Sequence, residues 1–286
     1  MRNHYVRAAA AASAGGNYVT DNLVFHLDAA NTSCYSGSGT TVNSLVNNHT
    51  NDHFGDMQWD SDSGGNTGGY FYTDGTQTST LQFPYSTDFE MMQYSSGGST
   101  AEVTDYSWEW WWYGDSSPGS AGNVCPHFAL NWRDGNSVEG VLDTGGQNTQ
   151  YKGCYMLYRN QDKDRSHFRD GSNATGGNAL GNSYAALLEE HTWTGSKWQH
   201  YVLTKTANTG SANNWSWYRD NRTAINYNQT FSTLYHNTSK KLLIFSEWGS
   251  GNRFDGRLGV MRFYQGKALT AAEVEQNYDA EKSRYT

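Results

Sequence analysis

Eight consecutive residues, Tyr106-Ser107-Trp108-Glu109-Trp110-Trp111-Trp112-Tyr113, constrain this chain more than any other feature. Side chains alternate sides along a strand. Tyr106, Trp108, Trp110 and Trp112 therefore share one face, and Glu109, Trp111 and Tyr113 share the other. Four large rings on one face mark a core strand. The same alternation recurs in Asn22–Asp28, Val124–Trp132, Gly153–Arg159, Trp198–Lys205, Trp215–Asp220, Leu242–Trp248 and Arg257–Tyr264. Turn-rich segments separate these runs, among them Asp60–Gly69, Ser95–Thr100, Asp115–Gly122, Asp143–Thr149, Asp170–Gly181 and Thr206–Asn214. One segment reads as a helix: Thr270 caps Ala271–Glu281, and Glu273 completes a capping box. Many short strands with one terminal helix predict an all-β sandwich rather than an alternating βαβ fold. Only three prolines occur and no stretch reads as a linker, so residues 18–286 are expected to form one domain behind an N-terminal arm, residues 1–17.

Composition narrows the function. Charged residues are 17%, below the usual quarter, and aromatics at 15% are too many for a disordered chain. A net charge of −8 argues against a nucleic-acid partner, which needs a basic stripe. The densest basic cluster, Lys163, Arg165 and Arg169, is interleaved with Asp162, Asp164 and Asp170 and reads as a solvated loop. Cys34, Cys125 and Cys154 lack metal-site spacing and read as small buried residues, with a Cys125–Cys154 disulfide left open. No apolar run reaches the ~18 residues of a membrane span, so membrane insertion is not expected. Ala12-Ser13-Ala14 has the form of a cleavage site, but Ala8–Ala12 is a weak apolar core for a secretory signal. The N-x-S/T sequons at Asn31, Asn48, Asn173, Asn214, Asn221, Asn228 and Asn237 read as a product of composition.

Three blocks carry a resemblance. Leu23-Val24-Phe25-His26-Leu27-Asp28-Ala29-Ala30-Asn31 with Tyr35-Ser36-Gly37-Ser38-Gly39-Thr40-Thr41 is similar to the opening strand and loop of laminin-G-like domains in the concanavalin A-like superfamily. Tyr106–Trp112, Trp198-Gln199-His200-Tyr201-Val202 and Trp217-Tyr218-Arg219-Asp220-Asn221 resemble that family's central strands. Phe254–Tyr264, then Ala268-Leu269-Thr270 and Glu273–Tyr278, resemble its closing signature. Val42 stands where the family more often has tryptophan. The blocks run in the family's order across residues 18–285. The resemblance implies a concanavalin A-like jelly-roll sandwich of two antiparallel sheets. The Asn277–Tyr285 ending and the Arg7–Tyr18 arm are similar to domains of phage and large-virus structural proteins.

The residues offer little for catalysis. Glycoside hydrolysis needs two carboxylates, and Glu109 has none two residues to either side, so it reads as a structural or surface strand residue. His200 reads as a histidine packed beside Trp198. No nucleophile elbow, zincin, P-loop or dinucleotide motif occurs, and no enzyme activity is expected. Asp60-Ser61-Asp62-Ser63-Gly64 resembles the start of a calcium loop, yet Phe71 occupies the twelfth position, where an acidic ligand belongs. A solvated turn fits better; the family resemblance alone keeps Ca2+ as a candidate, with Asp60 and Asp62 as ligands. Sugars pack C–H faces on rings and pair hydroxyls with polar side chains. Two loops combine those groups: Trp132, Arg133 and Asp134 in one, and Trp248, Asn252 and Arg253 in the other. The expectation is a virion structural protein, a capsid decoration or tail-associated subunit. Its lectin-like domain would serve surface coverage, particle stabilisation or attachment to host glycans. Such a chain would lie on the virion surface as a homo-oligomer, with Arg2–Tyr18 docked to neighbouring subunits. The alternative is a free carbohydrate-binding module or an extracellular, secreted lectin.

Overall fold

The computed structural model of the chain describes residues 17–74, 80–89, 92–94, 101–103, 105–114, 124–130, 154–160, 163–169, 184–188, 196–206, 215–220, 224–227, 241–245 and 255–286. Two antiparallel sheets and one C-terminal helix account for most of them. The first sheet runs, in spatial order, β15 (Ile225–Tyr227), β14 (Trp215–Arg219), β13 (Trp198–Lys205), β8 (Tyr106–Gly114), β17 (Asp255–Gln265), β4 (Tyr70–Asp74) and β3 (Gln58–Asp60). β1 (Leu23–Asp28) also pairs with β17, alongside its C-terminal half. The second sheet runs β12 (Tyr184–Leu188), β11 (Lys163–Arg169), β10 (Cys154–Asn160), β9 (Val124–Leu130), β16 (Leu242–Ile244), β5 (Leu81–Phe83) and β2 (His53–Phe54). β6 (Met92–Tyr94) and β7 (Ala101–Val103) form a separate hairpin. Among the described residues no helix is long and apolar enough to cross a membrane.

The predicted alternation on β8 sets the architecture. Tyr106, Trp108, Trp110 and Trp112 face inward and join Phe25, Leu27, Tyr201, Leu203 and Phe263 of the first sheet in one core. Leu81, Phe83, Phe128, Leu242 and Ile244 reach that core from the second sheet. Trp110 bridges the two layers: its ring meets Phe128 edge-on at 5.1 Å and stacks on Tyr201 at 5.4 Å. Rings of this size each remove a large apolar area from water, so one strand anchors both layers.

The other face of β8 is covered as well. α1 (Ala271–Tyr285) starts at the predicted capping box, with Thr270 and Glu273 exchanging side-chain and backbone bonds. It lies across the outer face of the first sheet. The stripe it buries is Val274, Asn277, Glu281 and Tyr285. Tyr285 stacks on Trp111 at 4.6 Å and meets Trp198 at 4.8 Å.

β17 accommodates the helix through a bulge. Its register with β8 slips between Leu258 and Met261, which leaves Gly259 directly beneath Tyr285. A Cβ at residue 259 would lie 2.6 Å from both Cε1 and Cζ of Tyr285. Gly259→Ala is therefore expected to lower stability by ~1–3 kcal/mol through overpacking. Thermal unfolding of Gly259→Ala in the wild-type and Tyr285→Ala backgrounds checks this. The penalty should shrink when the ring is gone, and equal penalties in both would contradict the clash.

The structure corrects two readings of the sequence. Lys163–Arg169 is not a loop but β11, paired along its length with β10 and, from Arg165 onward, with β12. Its alternating charges reflect strand periodicity without an apolar face to announce it. The register also excludes a Cys125–Cys154 disulfide. Cys125 lies opposite Arg159, five residues along β10 from Cys154. That is ~16 Å at the strand rise, against the under-7 Å Cα separation a disulfide needs. Cys34 is buried as expected, and burial pushes its thiol up to about 12.

Candidate functional site

The largest concentration of ionisable side chains lies between the first sheet and α1. Glu109 on β8, His200 on β13, Arg262 and Tyr264 on β17, and Asn277 and Glu281 on α1 converge there, all of them buried. They meet because strand register places them side by side: Glu109 is opposite Arg262, and His200 is two residues along β13, on the same face, from Glu109's partner Val202. Glu109 Oε1 lies 2.9 Å from His200 Nε2 and accepts from Arg262 Nη1 at 3.2 Å. Its Oε2 accepts from Asn277 Nδ2 at 2.7 Å and from the Tyr264 hydroxyl at 3.1 Å. Arg262 also grips Glu281 through both terminal nitrogens.

The N-terminal segment closes the cluster. Tyr18 lays its ring over the Arg262 guanidinium at 4.1 Å. The Val19 amide donates to Asn277 Oδ1 at 2.7 Å, and the Val19 carbonyl accepts from Tyr264 at 3.2 Å. A second clamp lies beside it, where Arg284 donates to both carboxylate oxygens of Asp28, at 2.8 and 3.2 Å, and to the Thr67 carbonyl.

The electrostatics are those of a sealed ion cluster. Burial alone would raise the Glu109 carboxyl, but Arg262 and the hydrogen bonds from His200 and Asn277 hold it below its ordinary value. Glu281 is raised, because its burial outweighs Arg262. Arg262 is held charged: burial opposes that, and the two carboxylates overcome it. A carboxylate bonded to an imidazole is also the arrangement that orients a catalytic base. Here Glu109 and His200 are both fully buried, and Glu109 is saturated by four donors. What this arrangement does chemically is hold a helix and an incoming chain against a sheet. The sequence reading left Glu109 as a structural or surface residue; it is structural. His200 is packed, against Trp111 and Tyr278 rather than Trp198, and its bond to Glu109 was not foreseen.

Asp60 and Asp62 close their own turn. Asp60 Oδ1 accepts from the Asp62 amide at 2.7 Å. Asp62 Oδ2 accepts from the Thr67 amide at 2.9 Å and from its hydroxyl at 2.7 Å. Among the described residues no three His, Cys, Asp or Glu side chains are grouped to hold a metal. The candidate sugar residues Trp132, Arg133, Asp134, Trp248, Asn252 and Arg253 lie outside the described residues. The strands they follow are informative. β9 and β16 are antiparallel, with Leu130 opposite Leu242 and Phe128 opposite Ile244. The C-terminal ends of these two strands therefore lie toward opposite ends of the second sheet.

No protein-family model matches the sequence, and no curated protein matches it significantly. The fold does have counterparts among solved structures. The binding domain of botulinum neurotoxin serotype G superposes with a TM-score of 0.59 at 10% identity, covering 90% of this chain and 50% of that domain. The binding domain of Paraclostridial Mosquitocidal Protein 1 gives 0.59 at 13% identity, covering 91% of this chain and 52% of that one. The binding domain of botulinum neurotoxin DC, solved in complex with SialylT, gives 0.56 at 9% identity, with coverage of 91% and 52%. This chain thus spans about half the length of these domains, and across that half it shares their fold.

Proposed function

We propose that this chain is a non-catalytic, lectin-like recognition module built on a concanavalin A-like jelly-roll, displayed on a virion as a capsid decoration or tail-associated subunit. The observation that carries the recognition reading is the fold match along nine-tenths of the chain to binding domains. The acid–base groups of the described core support it. Glu109 and His200 are fully buried and bonded to each other in the interface with α1. The virion setting draws its support from the Asn277–Tyr285 ending and the Arg7–Tyr18 arm, which resemble phage and large-virus structural proteins. Residues 17–19 are bonded to α1, and neighbouring copies are the expected contact of the residues that precede them.

A glycan array probed with the purified full chain tests the recognition reading, once with calcium and once with a chelator. Saturable binding to a defined set of oligosaccharides is the expected result. Loss on chelation would bring Ca2+ into the site. A blank array under both conditions would reduce the domain to passive coverage.

A further inference from the structure

Beyond α1, whose Tyr285 reaches only Trp198 at its edge, the described part of the first sheet's outer face carries side chains of an unusual kind. A single cross-strand row runs Gln58–Tyr72–Arg257–Tyr113–Trp198 across β3, β4, β17, β8 and β13, each residue opposite the next. Tyr70 stands behind Tyr72 on β4, with Asp60 as its partner on β3. Arg257 is held between two rings, its Cζ 4.5 Å from the Tyr113 centroid and 5.0 Å from that of Tyr70. Trp198 meets Tyr113 edge-on at 5.7 Å and Tyr70 at 5.9 Å. The Tyr72 hydroxyl donates to the Gln58 amide oxygen. Tyr72, Tyr113, Trp198 and Arg257 are half-buried, and Gln58 is exposed.

A sheet face that only has to be soluble carries short polar or charged side chains. A row of rings in partial contact with water carries exposed apolar area that such a face does not need. This row is also pre-ordered. Ring contacts restrict the aromatic side chains, and the Tyr113 and Tyr70 rings hold the Arg257 guanidinium between them. Saccharides ask for that combination, with flat apolar ring faces bordered by in-plane hydrogen-bonding groups. Crossing five strands makes the row ~19 Å long, which suits a short oligosaccharide better than a single sugar.

We propose that the Gln58–Tyr72–Arg257–Tyr113–Trp198 row is an oligosaccharide-binding platform. The sugar faces stack on Tyr72, Tyr113 and Trp198, and hydroxyls or a sugar carboxylate are read by Arg257 and Gln58. The assignment rests on the lectin-like reading above and names a site for it.

The test measures affinity of the full chain for sialyllactose and for a β-linked glucose tetrasaccharide, together with the best binder on the glycan array. Tyr72→Ala, Arg257→Ala and Gln58→Ala are compared with wild type, each with its thermal midpoint. Tyr72→Ala and Gln58→Ala change members of the row that do not flank the Arg257 guanidinium, so they report on binding even if Arg257→Ala unfolds the face. About a tenfold loss of affinity in Tyr72→Ala, at an unchanged midpoint, is the expected result. A larger loss for sialyllactose than for the tetrasaccharide in Arg257→Ala would assign Arg257 to a carboxylate, and equal losses would assign it to hydroxyls. Wild-type glycan binding left intact by all three variants overturns the platform while the lectin reading stands. No glycan bound by wild type overturns both.

Discussion

Replacing Arg262 with methionine is expected to destabilise the domain by ~3–5 kcal/mol, the range seen when one partner of a buried ion cluster is removed. Glu109 and Glu281 both depend on this guanidinium, and neither reaches water. Without it, one of them has to take up a proton or remain charged in a dry interface. Tyr18 also loses the cation beneath its ring, and with it part of the hold on residues 17–19. Urea unfolding measures the loss, and amide exchange locates it. Early exchange should appear in α1 and β1 before the inner strands, because the cluster joins those elements to the sheet. Substituting Glu109→Leu and Glu281→Leu on top of Arg262→Met should restore part of the stability, since no charge then remains buried. Full recovery is not expected, because His200, Asn277 and Tyr264 lose the acceptor they share. A change below about 1 kcal/mol for Arg262→Met would mean that the cluster is hydrated and that α1 is held by its rings alone.

This cluster also shows what the sequence could and could not reveal. The inner face of β8 was legible because Tyr106, Trp108, Trp110 and Trp112 repeat with period two and nothing polar interrupts them. The start of α1 was legible because Thr270 and Glu273 form a local signal that needs no tertiary partner. The face α1 buries was not. Asn277 and Glu281 on a helix read as solvent-facing residues, and only partners on other elements, Glu109 of β8 for Asn277 and Arg262 of β17 for Glu281, make them interior. The same holds for Glu109, whose partners come from residues 200, 262, 264 and 277. Periodicity reports which side of an element is apolar, and it is blind to a polar interface satisfied across elements. The platform row was hidden for a related reason. Gln58, Tyr72, Arg257, Tyr113 and Trp198 come from five strands, and register alone aligns them. Short strands such as β2, β3 and β5 were missed because two or three residues cannot display a period.

The pH profile of stability is the second large effect, and its sign follows from six buried groups. His26 lies opposite Arg262 on β1, with Tyr18 against its ring. Burial, then Arg262 and Arg284, hold its pKa well below 6.5. The unfolded histidine takes a proton near pH 6.5 and the folded one does not, so stability falls as pH drops through that value, by ~1.4 kcal/mol per unit. Glu109 extends the loss to lower pH. Its folded pKa is depressed, so its contribution is present above ~4.5 and disappears as it protonates. Glu281, raised by burial, offsets part of this.

Lys205 acts on the alkaline side. Burial pulls it down to about 7, against the opposing pull of Asp105. From pH 7 to ~10.4 the unfolded lysine holds a proton that the folded one lacks, so stability climbs with pH. Tyr264 and Tyr285 end the climb. Burial raises both well above 10, so above that pH the unfolded chain loses protons that the folded chain retains. The thermal midpoint should therefore rise from pH 5 and peak near pH 9–10, later than the pH 5–8 maximum of most proteins. In His26→Gln the rise between pH 5 and 6.5 should flatten, and in Lys205→Met the rise above pH 7 should flatten, each leaving the other limb in place. A wild-type maximum below pH 7 would show that Lys205 stays charged in the folded chain, with water reaching its ammonium beside Trp215.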